Sequence, residues 1–366
     1  PIYSSLFEMF PGISYEIEYE ILSSYFIDNI DMKTNQEYSF YPINNLSLSD
    51  PMIMRGLVLG QLSFIPYKYY ADDKRIEVFE SVQITISESG ETEFDYFIPE
   101  KRSYIFEELY ENFVINYEGS DRTEDYQTPS ILYICGGNSI NNSYFQDLVD
   151  WRHKQGYIVT VVSTSETGSS ENNINNYIAN AYNNWSDPPE IVGLVGDVGG
   201  SYNIDCDSYG WGGYSGASDV VYSYVEGNDI YPEIIIGRIS ANGTSELNNI
   251  INKTIQYEKA QEQTDLGWFD RAGLVGDPSS SGLSCAITNQ YIDQLMRNYG
   301  FSDIALDIDG GGSQLDQFVI DQFNRGIMYY NYRGYYYAPG SYPPNNNQIS
   351  NGYYTPFVTT ITCGTG

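Results

Sequence analysis

The sequence predicts an α/β protein, a mostly parallel sheet with helices on both faces, preceded by a smaller β-rich domain. From Ser130 onward, short β-branched runs alternate with segments whose apolar residues recur at helical spacing, the pattern of strand–helix–strand units. Before about residue 90 no strong amphipathic helix is visible, and apolar residues alternate with polar ones at period two. A chain of 366 residues is also long enough for two separate cores.

Residues 1–90 carry the β-rich domain. "IMRGLVLGQLSFIPYKYY" and "KRIEVFESVQITISES" are strand-forming runs separated by the turn signal "ADDK". Ile76 and Val78 alternate with Glu77, then Val82, Ile84 and Ile86 continue the stripe, so one face is buried. Residues 91–127 are acidic and aromatic, and read as a connector that packs partly on its neighbours and ends in an exposed loop at 119–129.

Residues 128–366 form the α/β domain. "ILYICGG" is a short buried strand, and Phe145, Leu148, Val149 and Arg152 then recur at helical spacing. After the strand "IVTVVST", Ile174, Tyr177, Ile178, Ala181, Tyr182 and Trp185 share one helix face. The rhythm continues through strands "EIVGLVGD", "EIIIGRIS" and "RAGLVGD", with helices at "SELNNIINKTIQYEKA" and around "YIDQLMRNYG". A last helix turns Leu315, Phe318, Val319 and Phe323 inward before the strands "IMYYNYRG" and "PFVTTITCG".

Composition excludes several classes of function. Lys and Arg total 17 against 49 Asp and Glu, so the net charge is 17 − 49 = −32, and the pI is near 4.1. Such a field repels nucleic acid and anionic membranes. No apolar run of about 18 residues is present to span a membrane. Cysteines at 135, 206, 285 and 363 form no CxxC pair, which argues against a metal–thiolate site. The chain opens at Pro1 with neither an initiator Met nor a signal peptide, and is expected to be a processed product or a fragment. The acidic surface and 37 tyrosines suit an extracellular bacterial protein.

In open α/β sheets the functional groups gather beyond the carboxyl ends of the strands. Asp197, Asp277, Gly334 and Cys363 each lie at such an end. Cys363 is followed by Gly364 and Gly366, so a substrate carbonyl can approach closely, and backbone N–H groups of the turn can serve as an oxyanion hole. The plain alternative is a packed strand-end cysteine without chemistry.

"LVDWRHKQGYIVTVVST", "IVGLVGD", "SDVVYSYVEGNDIYPEIIIGR", "TIQYEKA", "IMYYNYRG" and "TCGTG" resemble, in order and spacing, the gingipain family of cysteine peptidases across residues 128–366. "SDPMIMRGLVLGQLSFIPYKYY" resembles more loosely the β-rich propeptide of that family. The resemblance implies a caspase-like fold, a sandwich-like pro-domain, secretion to the outside or surface of a bacterial cell, and thiol-dependent hydrolysis of polypeptides. It places the nucleophile at Cys363, with Gly334 and Gly364 in the site turns, and implies that the sheet continues past residue 366.

Two departures weaken the carry-over. The family histidine, in a Gly-His-Gly turn, is here Tyr335 of "NYRGYYYAPG". A tyrosine of pKa near 10 neither takes the thiol proton nor stabilises a thiolate well. Arg333 can lower the cysteine pKa by its charge but shuttles no proton. His153, the one histidine, reads as a solvated residue in mid-helix and not as the base. The acid that orients the family histidine falls on Asp277, which otherwise reads as a strand-end Asp capping the next turn. The acidic residue that grips basic side chains in arginine-cleaving members falls on Cys285, so arginine specificity does not transfer.

Asp229 and Glu233 of "VEGNDIYPE", with Asp197 as an added ligand, group hard oxygens that suit Ca²⁺, and the family carries structural calcium at this loop. Two expectations follow. One is a secreted cysteine endopeptidase in precursor form, its β-domain an inhibitor and chaperone and Arg122 the processing point. The other is an inactive relative with a surface, adhesive or structural role, including self-assembly.

Overall fold

The computed structural model describes residues 2–32, 40–93, 96–120, 122–211, 214–309, 313–335 and 346–362. The chain divides into two compact units. One comprises residues 1–134, 152–194 and 219–238, the other residues 135–151, 195–218 and 239–366.

The β-rich part of the first unit is a sandwich of two antiparallel four-stranded sheets. In one, Leu57–Phe64 pairs with Tyr3–Glu8, Leu46–Leu48 and Met52–Met54. In the other, the long strands Ile13–Ile27 and Arg75–Glu91 pair, followed by Tyr67–Tyr70 and Phe40–Tyr41. Phe7, Met9, Ile53 and Val58 of the first sheet and its flanks pack against Tyr15 and Ile86 of the second. The expected stripe is present: Val82, Ile84 and Ile86 are half-buried while Ser81, Gln83, Thr85 and Ser87 are exposed.

The connector differs from the sequence reading, because it contains the helix Tyr104–Phe113. Phe106, Tyr110 and Val114, each four residues on from the last, are buried against Met54, Leu57 and Leu59 of the sandwich. The stretch expected as an exposed loop is exposed at Arg122, Thr123 and Glu124, but Gln127 is buried.

Strands follow in the order Ile158–Ser163, Ser130–Cys135, Ile191–Val195, Ile235–Ile239. Glu190 N–H bonds Ser130 O where two of them begin, and Gly136 N–H bonds Val195 O where the same two end, as parallel neighbours require. The helix Glu171–Asn184 buries Ile174, Ile178, Ala181 and Tyr182, with Tyr177 edge-on to Trp185.

The second unit contains a parallel sheet in the order Asp303–Asp307, Arg271–Gly276, Tyr329–Arg333, Phe357–Ile361. Strand alternation sends Val275 to Leu315, Val319 and Phe323 of the helix Ser313–Arg325. The neighbouring Gly276 lies against Cys285 and Ala286 of the helix Ser284–Tyr299. Helices therefore cover both faces of this sheet. The strand Asp303–Asp307 and the hairpin Asp207–Trp211/Tyr214–Ser218 were not expected, since neither has an apolar or β-branched run that stands out.

Candidate active site

The second unit brings the strand ends together through its register. Gly276 pairs with Arg333, and Arg333 with Ile361, so Asp277, Gly334 and Thr362 follow side by side at one edge. Cys363 and Gly364, the next residues, lie outside the described residues. The bond from Asp277 N–H to Arg333 O (3.1 Å) locks two of the three ends.

Asp277 is buried, and its Oδ1 accepts from Ser279 N–H (2.9 Å) and from Ser279 Oγ (2.5 Å). It caps the short helix Pro278–Ser281, whose first residue is a proline that needs no donor. Gly334 touches it: a Cβ there would lie 3.0 Å from Asp277 Cβ and 2.3 Å from the Tyr332 hydroxyl. Tyr332 donates to Tyr335 O (2.9 Å) and so fixes the turn, while the Tyr335 side chain is 52% exposed. Burial, then the charge of Asp277 and the Cys285 thiol, push the Tyr332 phenol well up, which keeps it a neutral donor.

The tight contact at Gly334 has a measurable consequence. Gly334→Ala forces Tyr332 off its place and costs about 1–3 kcal/mol, read by urea unfolding. In a Tyr332→Phe background, which lacks the nearest atom, part of that cost disappears.

Arg333 donates to Thr288 Oγ1 (2.6 Å), so its cation is tied to the helix Ser284–Tyr299. Cys285 is a buried free thiol in the first turn of that helix. Beneath the edge, Asn289 donates to Val275 O and Cys285 O, both at 3.0 Å, and accepts from Asn331 (2.8 Å). Asn331 Oδ1 is buried with no partner among the described residues. Sequence reasoning missed Tyr332, Asn289 and Asn331. Only the polar Asn331 inside the apolar run of a central strand offered a signal. His153 is exposed and sits in the last turn of the helix Ser143–Lys154 rather than in its middle.

The expected cation ligands are in different units. Asp197, in the second, accepts from Val198 N–H (2.8 Å) and Asn242 Nδ2 (3.0 Å). In the first, Asp229 Oδ2 accepts from Ile53 N–H (2.9 Å) and Oδ1 from Tyr231 N–H (2.8 Å). Glu233 Oε2 accepts from Val225 N–H (3.0 Å) and Glu226 N–H (3.2 Å), and Oε1 is buried with no partner among the described residues. Among the described residues no three His, Cys, Asp or Glu converge as a metal site.

A β-sandwich followed by an α/β domain whose strands end in an acid and a glycine turn, with a cysteine next in the sequence after the last strand, is the plan of a cysteine peptidase with its pro-domain. The chain belongs to peptidase family C25, whose peptidase matches residues 124–366 and whose propeptide matches residues 10–123. It is 26% identical over 358 residues to gingipain R2 of Porphyromonas gingivalis, covering 93% of this chain and 47% of that protein. To Lys-gingipain of the same species it is 27% identical over 241 residues, which is 62% of this chain and 13% of that one. The chain thus spans about half the length of gingipain R2. Among solved structures it matches the arginine-specific cysteine proteinase gingipain R with TM-score 0.56 and 26% identity, over 68% of this chain and 57% of that one. The complex of RgpB pro- and mature domains matches with TM-score 0.55 and 26% identity, over 63% and 55%.

Proposed function

We propose that this chain is the precursor form of a secreted cysteine endopeptidase that cleaves polypeptides through Cys363. The observation that carries the reading is the register that sets Asp277, Gly334 and Thr362 side by side, directly before the family's nucleophile position. The thiolate attacks the scissile carbonyl, and N–H groups of the turn at Gly364 receive the developing oxyanion. The C–N bond then breaks as the amine takes a proton from water, and water hydrolyses the thioester to release the acid and the thiol. With tyrosine where the family has histidine, the thiolate is the fraction that ambient pH supplies. Turnover therefore climbs toward alkaline pH instead of levelling near neutrality. The net charge of −32 and the lack, among the described residues, of a helix long and apolar enough to cross a membrane suit a substrate met outside the cell or at its surface.

A second reading, an inactive scaffold with a surface or assembly role, is favoured by Tyr335 and by the capping work of Asp277 Oδ1. A structural Ca²⁺ at the loop 225–233 also belongs to the proposal. It rests on Glu233 Oε1, buried with no partner among the described residues, and on Asp229 beside it, and the ion would neutralise buried carboxylate charge.

Labelling with an iodoacetamide-type probe over a pH series, read by mass spectrometry with Cys363→Ala as control, separates the two readings. Peptide hydrolysis is followed over the same series. Hydrolysis that rises with pH in step with Cys363 labelling, and is lost in Cys363→Ala, supports the peptidase. Labelling with no hydrolysis at any pH leaves an ordinary thiol on a scaffold.

A further inference from the structure

The two sheets of the β-sandwich have four edges, and three of them are short or covered. Leu46–Leu48 and Met52–Met54 form one edge in three-residue pieces, and Phe40–Tyr41 forms another, two residues long and followed by Pro42. Tyr3–Glu8 is covered by the chain after the connector helix. Leu6 bridges Val114, Leu6 O accepts from Ile115 N–H (2.9 Å), and the Asn116 side chain bonds Glu8 N–H and O. The fourth edge is open. Ile13–Ile27 is the outermost strand of its sheet, 15 residues long, and among the described residues it pairs only with Arg75–Glu91.

Proteins protect such an edge with charge, with proline or with a bulge that twists the strand away. The first half of this strand carries Glu16, Glu18 and Glu20. The second half, Ile21–Ile27, reads "ILSSYFI": no charge, proline or glycine, in a chain of net charge −32. All seven residues are exposed, Leu22 to 56%, Phe26 to 48% and Tyr25 to 46%. The irregularity that falls here cancels itself. Leu22 is extra on this strand and Glu80 on its neighbour, so Ser24 meets Phe79 in the register that Ile21 and Val82 share. The segment is also held in place. Glu77 accepts from the Ser24 hydroxyl (2.7 Å) and the Tyr70 hydroxyl (3.0 Å), and the Arg75 guanidinium lies over the Phe26 ring at 4.5 Å. Pairing with a further strand therefore freezes little that is not already fixed.

The segment itself indicates the occupant. Read in both directions about Ser24, it matches large with large: Ile21 falls opposite Ile27, Leu22 opposite Phe26, Ser23 opposite Tyr25, and Ser24 opposite itself. A two-fold contact between identical surfaces demands such self-complementarity. Charge selects the same register. An axis at Glu18 would set Glu16 against Glu20 and Glu18 against itself, whereas an axis at Ser24 leaves all three outside the pairing. The chain helps by turning away just beyond Ile27, where Asn29 has a φ of 61°.

We infer that Ile21–Ile27 is the docking strand for a second copy of this chain, paired antiparallel about a two-fold axis at Ser24. The pairing joins two four-stranded sheets into one of eight strands. It rests on neither reading of Cys363, because every residue it uses lies in the β-sandwich.

Sedimentation equilibrium of the full chain between about 1 and 300 μM tests the inference. The mass should climb from 41.5 kDa toward twice that value and stop there. It should climb sooner in about 1 M than in about 0.15 M NaCl, because salt screens the repulsion between two acidic copies. A single-chain mass throughout, growth past the dimer, or weaker pairing at high salt overturns the inference. Tyr25→Lys enters the contact twice and should weaken association by about 100-fold or more. If that chain does not fold, Leu22→Lys takes its place at a more exposed position. Association unchanged by the lysine overturns the surface. Mild oxidation of Ser24→Cys should give a disulfide-linked dimer above the background set by the unchanged chain, since the axis places the two residues face to face. Glu18→Cys, whose counterpart position lies beyond the strand, should stay at that background. Equal cross-linking of the two variants overturns the register.

Discussion

Replacing Tyr335 by histidine raises the labelling rate of Cys363 at pH 6.5 by about five-fold and peptide hydrolysis by about 10²–10⁴-fold. A thiol of pKa about 8.5 is about 1% thiolate at that pH, and an adjacent imidazolium that lowers the pKa to about 6 makes it about 75% thiolate. Lower basicity gives back a factor of about 10–18 through weaker nucleophilicity, which leaves the five-fold gain in labelling. Hydrolysis gains more because an imidazole also delivers the proton to the leaving amine, a step a labelling reagent does not need.

The substitution is well placed for such a test. The Tyr335 backbone is fixed by the bond from Tyr332 to its carbonyl, which is independent of the side chain at 335. That side chain is half-exposed, so the change costs within about 0.5 kcal/mol of stability. Asp277 Oδ1 is taken by Ser279, which leaves Oδ2 to orient the new ring. Unchanged labelling from pH 6 to 8 would mean that the turn after Arg333 does not face the thiol, and the inactive scaffold would then be the better reading.

What was legible in the sequence follows the range of the interactions involved. The parallel strands of the second unit were readable because burial on both faces forces continuous runs such as "RAGLVG". The inward set of the last helix was readable because Leu315, Val319 and Phe323 recur at period four. The strand ends, and with them Asp277 and Gly334, follow from that rhythm alone. The helix Tyr104–Phe113 was missed although Phe106 and Tyr110 carry the same period, because four acids in twelve residues made the segment look solvated. Arg55 was not legible at all. Within "PMIMRGLVLG" it is one polar residue in a strand run, yet its guanidinium is buried and donates to oxygens 72 to 178 residues away. Asp229 shows the same limit: the acid grouping was visible, but not that its oxygens also accept N–H groups from its own loop and from Ile53.

Glu233→Gln stabilises the protein at pH 8 and removes a slope in its pH–stability curve. Burial, opposed by the N–H bonds from Val225 and Glu226 and reinforced by the charges of Asp229 and Glu226, pushes the Glu233 carboxyl up to about 8 from its ordinary 4.5. The folded state thus holds this proton more tightly than the unfolded chain does. The contribution to stability is fully present below about pH 4.5, falls as unfolded chains ionise, and is lost as pH passes through about 8. A shift of that size bounds the loss at about 5 kcal/mol, and relaxation around the carboxylate brings the expected value to about 2–3 kcal/mol. Glutamine keeps an oxygen for both N–H groups and never ionises. Urea midpoints should therefore coincide for the two proteins near pH 5 and diverge in favour of glutamine by pH 8. A bound Ca²⁺ reverses the sign. With calcium on Glu233 the carboxylate is the stable form, so glutamine would lower the midpoint in calcium, and EDTA would erase the difference. Paired urea curves at pH 8, with calcium and with EDTA, thus decide between a protonated buried acid and a cation ligand: a glutamine protein more stable in both buffers leaves no place for the ion.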